Sequence, residues 1–208
     1  MLSRIFGKKL GMTQTFLDTG KVVPVTVINV AHLFVTQVKT KEKDGYVALQ
    51  LGLVRKKYAK HPFDKAWCLH KKKHFLHLSE VPVDEGNVGK FKVGQEVTLE
   101  NFDFDKGVMV KVTGKSRGLG FQGVVKRWGF SGGPSSHGSN FHRVPGSMGG
   151  ACSQGKVAKG KKLPGHCGCK KITVEGLQIV DVDKGGYLFV KGAVPGKKDS
   201  LVVITKQG

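Results

Sequence analysis

In the middle of the chain, Gly118-Leu119-Gly120-Phe121-Gln122-Gly123 fits the spacing G-x-G-x-x-G. In a dinucleotide-binding fold that spacing brings backbone amides up to a pyrophosphate, and an acid about 20 residues further on holds the ribose. Here the next acid is Glu175, 52 residues beyond Gly123. Gly114-Lys115-Ser116 matches the end of a phosphate-binding loop, but Met109 stands where the motif needs its first glycine. A serine or cysteine nucleophile beside His137, His142 or His166 would need its base held by a carboxylate or amide. This stretch offers Asn140 and a few glutamines but no carboxylate. Paired-carboxylate hydrolysis and hard-cation sites lack local ligands for the same reason.

Cys152, His166, Cys167 and Cys169 are soft donors of the kind zinc takes, as are Cys68, His70, His74 and His77. Structural zinc sites usually leave two or more residues between paired cysteines, and Cys167 and Cys169 leave one. The second set lies in a lysine-rich stretch whose charge opposes a dication. Incidental thiols and solvated histidines are the simpler reading, and no metal or other cofactor is expected.

The basic residues form the largest pattern. They cluster as Lys115 and Arg117, Lys126-Arg127-Trp128, His142-Arg143, Lys156, Lys159 and Lys161-Lys162, and Lys170-Lys171, with Phe121, Trp128, Phe130 and Phe141 among them. Singly, each charge is ordinary solvated surface. From Lys106 to Val174, however, 69 residues carry 13 Lys and Arg and no Asp or Glu. Ordinary surfaces intersperse both signs. Cations neutralise phosphates, rings and guanidinium planes stack on splayed bases, and glycine lets backbone amides approach phosphate oxygens. The set therefore points to nucleic acid. A duplex-DNA reader would normally present a recognition helix, for which this segment is too rich in glycine. An irregular arm suits the crevices of folded RNA.

The rest of the chain must position this segment. The protein has 208 residues, 35 Lys and Arg against 15 Asp and Glu, and a net charge of +20. Such a charge repels itself in a compact state unless a polyanion neutralises it. No apolar run approaches the ~18 residues of a membrane span, and the start has no signal-type apolar core. A cytoplasmic chain with reduced thiols and no membrane partner is expected. Between Gly114 and Lys171 only nine of 58 residues are Leu, Ile, Val or Phe, while 15 are Gly. A segment so poor in core material orders against a partner, not by itself.

The flanks read as strands. Val22–Val30, Val35–Val38, Tyr46–Leu53, Val93–Leu99 and Val108–Thr113 precede the arm, and Ile172–Val174, Leu177–Val182, Tyr187–Val190 and Leu201–Ile204 follow it. Gly, Asp, Asn and Lys stand between them, as in a β-barrel or sandwich. Pro24 predicts an edge or bulged position in the first run. One helix is expected from Pro62 to about Lys73. The fold class is thus mainly β, with one or two short helices and a long glycine-rich basic extension inserted between strands. The body comprises 1–118 and 168–208 and the arm 119–167.

Several blocks, in one order, resemble the universal large-subunit ribosomal protein L-three family in its bacterial form. They are Phe6-Gly7-Lys8-Lys9-Leu10-Gly11-Met12-Thr13, Val23–Ile28, Val112–Gly123 with Lys126-Arg127-Trp128, Ser136-His137-Gly138, His142–Ser147, Gly155-Lys156-Val157, Lys159–Lys162 and Val190–Gly196. The resemblance implies a translation-factor-type β-barrel and an extension threading large-subunit rRNA toward the peptidyl transferase centre. It also implies binding near the 3′ end of that RNA early in assembly, contacts with neighbouring ribosomal proteins, no small-molecule substrate and no enzymatic activity. The RNA-binding residues expected are Lys8, Lys9, Lys115, Arg117, Lys126, Arg127, Trp128, Phe130, His137, His142, Arg143, Lys156, Lys159, Lys161 and Lys162. The extension's tip matches about Ser147 to Cys152, including Met148, Gly149 and Gly150. Many bacterial members carry a methylated glutamine where Gly150 stands, so that modification is not carried over. The competing expectations are a general RNA-binding chaperone and, from another class, a nucleotide-dependent enzyme.

Overall fold

A computed structural model describes residues 2–17, 19–150, 155–183 and 185–207. They form two compact units, Met1–Lys115 with Lys171–Gly208, and Ser116–Lys170. In chain order the elements are β1 (Arg4–Phe16), β2 (Val22–Asn29), β3 (Leu33–Lys39), α1 (Lys41–Asp44), β4 (Ala48–Val54), α2 (Ala66–Leu69), α3 (Lys71–His74), β5 (Phe75–Pro82), α4 (Glu85–Val88), β6 (Glu96–Val97) and β7 (Met109–Lys115). There follow β8 (Gly120–Gln122), α5 (Val124–Trp128), β9 (Gly165–Cys167), β10 (Lys171–Asp183), β11 (Tyr187–Lys191) and β12 (Leu201–Lys206).

In the first unit, alternation decides which face of each strand is buried. Val110 and Val112 of β7, Leu188 and Val190 of β11, and Val202 and Ile204 of β12 are buried, while their neighbours are more exposed. Strands patterned this way bury one face each, and here they close into a barrel in the order β1-β12-β7-β10-β11-β2. Every neighbouring pair is antiparallel. Closure removes sheet edges. It also joins the two ends of the chain, since Arg4–Lys8 pairs with Leu201–Thr205.

A second sheet, in the order β5-β4-β3-β6, packs on the same core. Phe6 lies next to the interior residue Ile5 on β1, yet both are fully buried. The Phe6 ring meets the His77 imidazole of β5 edge-on, with centroids 5.3 Å apart. The outer face of β1 is therefore covered here, and burial holds the His77 pKa below its ordinary value. Gly7 is required beside it, because a Cβ would lie 2.5 Å from the Asn29 carbonyl oxygen.

Several local expectations changed. Ile172–Val174 and Leu177–Val182 are one strand, β10, because Gly176 at φ +70° takes up a register shift between Val174 and Leu177. The expected strand Val93–Leu99 shrinks to Glu96–Val97, since Gly94 turns the chain at φ +88° and Leu99–Asn101 forms a 3₁₀ turn closed by a Thr98–Asn101 capping box. Pro24 lies inside a barrel strand, but β11 pairs with β2 only from Val25 onward, so its missing N–H is lost at a local edge.

The expected helix from Pro62 to Lys73 begins at Ala66, whose N–H donates to Asp64 Oδ1 at 3.0 Å, and breaks at His70 into α2 and α3. Tertiary packing decides this. Trp67 and Phe75 are buried together with Val54, and Phe34, Tyr58, Phe63 and Leu78 pack around them. Room for the cluster comes from Gly52, where a Cβ would lie 2.6 Å from the Phe75 ring. A Gly52→Val substitution is expected to overpack it and to lower stability by about 1–3 kcal/mol. A urea midpoint shift with unchanged slope measures this; an unshifted midpoint contradicts it.

Candidate nucleic-acid interface

The second unit starts with its two chain ends held together. The Ser116 N–H donates to the Lys170 carbonyl at 2.8 Å, and the Lys170 N–H returns to Ser116 Oγ at 3.1 Å. The Leu119 N–H donates to the Cys167 carbonyl at 3.0 Å. β8 and β9 then pair antiparallel, Gly120 with Cys167, Phe121 with His166 and Gln122 with Gly165. Gly168, at φ +82°, lies so close to the Arg117 carbonyl that a side chain there would collide with backbone.

Beyond β8, Gly123 is extended and α5 makes little more than one turn before Gly129 ends it at φ +74°. Val124 is buried, and the turn carries Lys126, Arg127 and Trp128. Arg127 Nη1 donates to the Leu163 carbonyl at 2.6 Å, and the Trp128 indole N–H donates to the same oxygen at 2.9 Å. The Arg127 guanidinium lies 4.9 Å from the Trp128 ring centroid, and the Lys162 ammonium 5.8 Å. Gly165 leaves the space the guanidinium fills, since a Cβ there would be 2.6 Å from Nη1. Arg127 is half-buried and braces the returning chain, while the Trp128 ring, 41% exposed, has two cations within cation–π distance.

From Gly129 to Gly150 the chain is mostly irregular, with turns at His137-Gly138 and His142-Arg143. His137 and His142 adopt positive φ, 58° and 33°, and both are exposed. The Gly133 N–H donates to the His142 carbonyl at 2.7 Å, and Phe130 is half-buried. Phe130, Phe141, Val144 and Pro145 line a cleft of about 380 Å³ with Gly129, Ser131 and Gly132. Ser147, Met148, Gly149 and Gly150 are exposed, and Ser147 Oγ donates to the Gly149 carbonyl at 3.1 Å. Cys152 and Gln154 fall outside the described residues.

Arg117, Lys126, Arg143, Lys156, Lys159, Lys161 and Lys162 are all exposed in a unit that contains no carboxylate. Two exposed rings escaped the expected set: Phe121, 75% exposed on β8, and Phe141, 51% exposed. Their signal was an aromatic residue among glycines and cations.

Lys8, Lys9 and Lys115 belong to the first unit. The Lys9 ammonium donates to the Val194 and Gly196 carbonyls at 2.7 and 3.2 Å, fastening β1 to the loop after β11. Lys8 is half-buried, and burial followed by the charge of Lys56 pulls its pKa down, against Asp199. Lys115 is exposed at the end of β7. Among the described residues, the soft donors do not converge. His74 lies flat on Trp67, with centroids 5.3 Å apart, and Cys68 Sγ contacts the Thr36 carbonyl at 3.6 Å. Among the described residues, no three His, Cys, Asp or Glu are placed to hold a metal.

A mainly β body joined to a glycine-rich unit whose charges are all positive has the make-up of a structural RNA-binding protein. The chain belongs to the ribosomal protein L3 family, whose model matches residues 64–186. It is similar to the large ribosomal subunit protein uL3 of Syntrophotalea carbinolica, 46% identical over 99% of this chain and 98% of the relative. It is similar also to those of Oceanobacillus iheyensis, 44% identical over 99% of this chain and 97% of the relative, and Lactobacillus helveticus, 46% identical over 98% and 95%.

Proposed function

We propose that the chain is a structural constituent of the large ribosomal subunit and binds large-subunit, 23S-type rRNA near its 3′ end. It supports early subunit assembly as a cytoplasmic ribonucleoprotein component, contacts neighbouring ribosomal proteins, and is not an enzyme. Full-length similarity to the uL3 relatives supports the place in the subunit. Among the described residues, no helix is long and apolar enough to cross a membrane.

The observation that carries the RNA reading is the exposed, acid-free charge of the second unit. We assign 1–118 and 168–208 to a translation-factor-type barrel body, and 119–167 to an arm that penetrates rRNA toward the peptidyl transferase centre. Lys115, Arg117, Lys126, Arg143, Lys156, Lys159, Lys161 and Lys162 neutralise phosphates, joined by Lys8, Lys9 and Arg127 at points where the fold leaves them a donor. Trp128, Phe130, His137 and His142 stack or bridge, and Ser147 to Gly150 form the tip. Glycines at its turns let the backbone of the arm approach phosphate oxygens.

The test is binding to two structured RNAs of equal length over a salt series, one of them the 3′-terminal domain of large-subunit rRNA. Non-specific phosphate contacts weaken on both as salt rises. A preference of ~100-fold, about 2.7 kcal/mol, is expected to survive at physiological salt. Coincident curves would reduce the protein to a general RNA binder or chaperone.

A further inference from the structure

The acid-free segment holds 13 of the 20 net charges, and the other 139 residues hold 22 basic and 15 acidic ones. That remaining +7 is not spread out. Residues 55–74 contain Arg55, Lys56, Lys57, Lys60, Lys65, Lys71, Lys72 and Lys73 against the single acid Asp64. Outside these 20 residues the rest is balanced, with 14 charges of each sign. The excess charge of the first unit is thus concentrated in the connection between β4 and β5.

This connection is ordered from beneath. The Trp67 ring is packed by Tyr58, Phe63, His74 and Phe75, at centroid distances of 5.9, 5.7, 5.3 and 6.2 Å. His74 Nδ1 is buried without a partner. Four of the cations have partners, Lys56 with Asp199 at 3.8 Å and Lys57 over the Tyr58 ring at 5.9 Å among them. Arg55 donates to the Phe75 and Lys72 carbonyls at 3.2 and 3.0 Å, and Lys71 donates to Gln50 Oε1 at 2.6 Å. Lys60, Lys65, Lys72 and Lys73 are exposed, and among the described residues their ammonium groups make no hydrogen bond or ion pair. Leu69, 82% exposed, stands among them with the exposed His61 and His70.

We propose that this lysine-rich connection is a second RNA-contact surface, carried by the first unit, which grips the phosphate backbone through Lys60, Lys65, Lys72 and Lys73. The proposal rests on the RNA-binding reading above. Unpaired like charges held on a rigid base repel one another, and a polyanion relieves that repulsion. Lysines are point charges on flexible stems and so suit phosphates more than base edges. The surface therefore adds affinity and orientation, not sequence preference. The short aliphatic and imidazole groups between the lysines fit against sugar and exposed base faces.

The experiment uses the full-length protein with the 3′-terminal rRNA domain. Lys60, Lys65, Lys72 and Lys73 are replaced together by Gln, and separately together by Arg. Trp67 emission and the urea midpoint confirm that the variants fold. For the Gln variant the plot of log affinity against log salt is expected to flatten by about 2 or more, since each phosphate contact contributes ~0.7–0.9 to the slope. Affinity at 0.1 M salt falls about 100-fold. The Arg variant keeps both, and hydroxyl-radical footprinting loses one protected RNA segment in the Gln variant only. An unchanged slope and footprint in the Gln variant would overturn the proposal and leave these lysines to an acidic protein partner. If the wild type shows no preference for the 3′ domain but the Gln variant still flattens the slope, the ribosomal reading fails and this surface stands.

Discussion

Replacing Lys156, Lys159, Lys161 and Lys162 together by Gln is expected to weaken binding to the 3′-terminal rRNA domain about a thousandfold at 0.1 M salt, with a salt slope shallower by about 3. All four are exposed, and no acid occurs in their unit. They therefore give up no internal ion pair when replaced, and the loss falls on the complex. Solvated surface lysines in an ordinary protein would change stability by no more than about 0.5 kcal/mol, and the same is expected here in the free state. Lys162 is the exception in detail, because its ammonium also lies over the Trp128 ring. A small change in Trp128 emission should accompany its replacement. Equal affinity for wild type and variant across the salt series would remove this segment from the RNA interface.

A single added methyl at Gly168 is expected to have the second largest effect. The position needs φ +82°, and a Cβ there would run into the Arg117 carbonyl. The left-handed conformation costs an L-residue about 1–2 kcal/mol, and the backbone collision adds overpacking of about 1–3 kcal/mol. Gly168→Ala should therefore break the register between β8 and β9 and release the contacts of Leu163 with Arg127 and Trp128. Limited proteolysis should cut within 116–170 far faster than in wild type, while the urea midpoint followed by Trp67 stays in place. Equal cleavage rates would show that the close approach of Gly168 to Arg117 does not order the unit. Gly176→Ala is the comparison, because that glycine also has positive φ, +70°, but a Cβ there meets nothing within 4 Å.

The β-branched runs made β2, β7, β11 and β12 legible, since each carries its own alternation and its own turn signals, whereas β4 was legible as an apolar run and is buried at six of its seven residues. β1 and β5 were not legible. β1 spans Arg4–Phe16 with Gly7, Gly11 and a polar second half, and it becomes a strand by pairing with Leu201–Thr205 and Val22–Asn29. β5 begins directly after α3, the turn Lys71–His74, and owes its place to pairing with β4. Neither pairing leaves a local pattern. The short ribbon of β8 and β9 joins residues more than 40 positions apart, through a glycine-rich stretch with weak strand propensity.

The chemistry of the interface was carried by residue type. A run of cations without acids, with aromatic rings and glycines between them, means polyanion binding in whatever conformation it adopts, because Coulomb attraction acts through space and needs no register. Packing settled which cations are free to act. Arg127 and Trp128 share the carbonyl of Leu163, some 35 residues away, and Lys9 fastens β1 to the loop after β11, although all three read along the chain as equivalent surface groups. Conversely, the sequence places Lys65, Lys72 and Lys73 in one helix from Pro62 to about Lys73, and the break at His70 leaves them, with Lys60, as a group whose ammoniums are unpaired. Charge and composition are sums over residues and survive in a linear sequence. Closure of the barrel, the brace at Leu163 and the choice of free lysines depend on contacts between distant residues, which only burial in a shared core brings together.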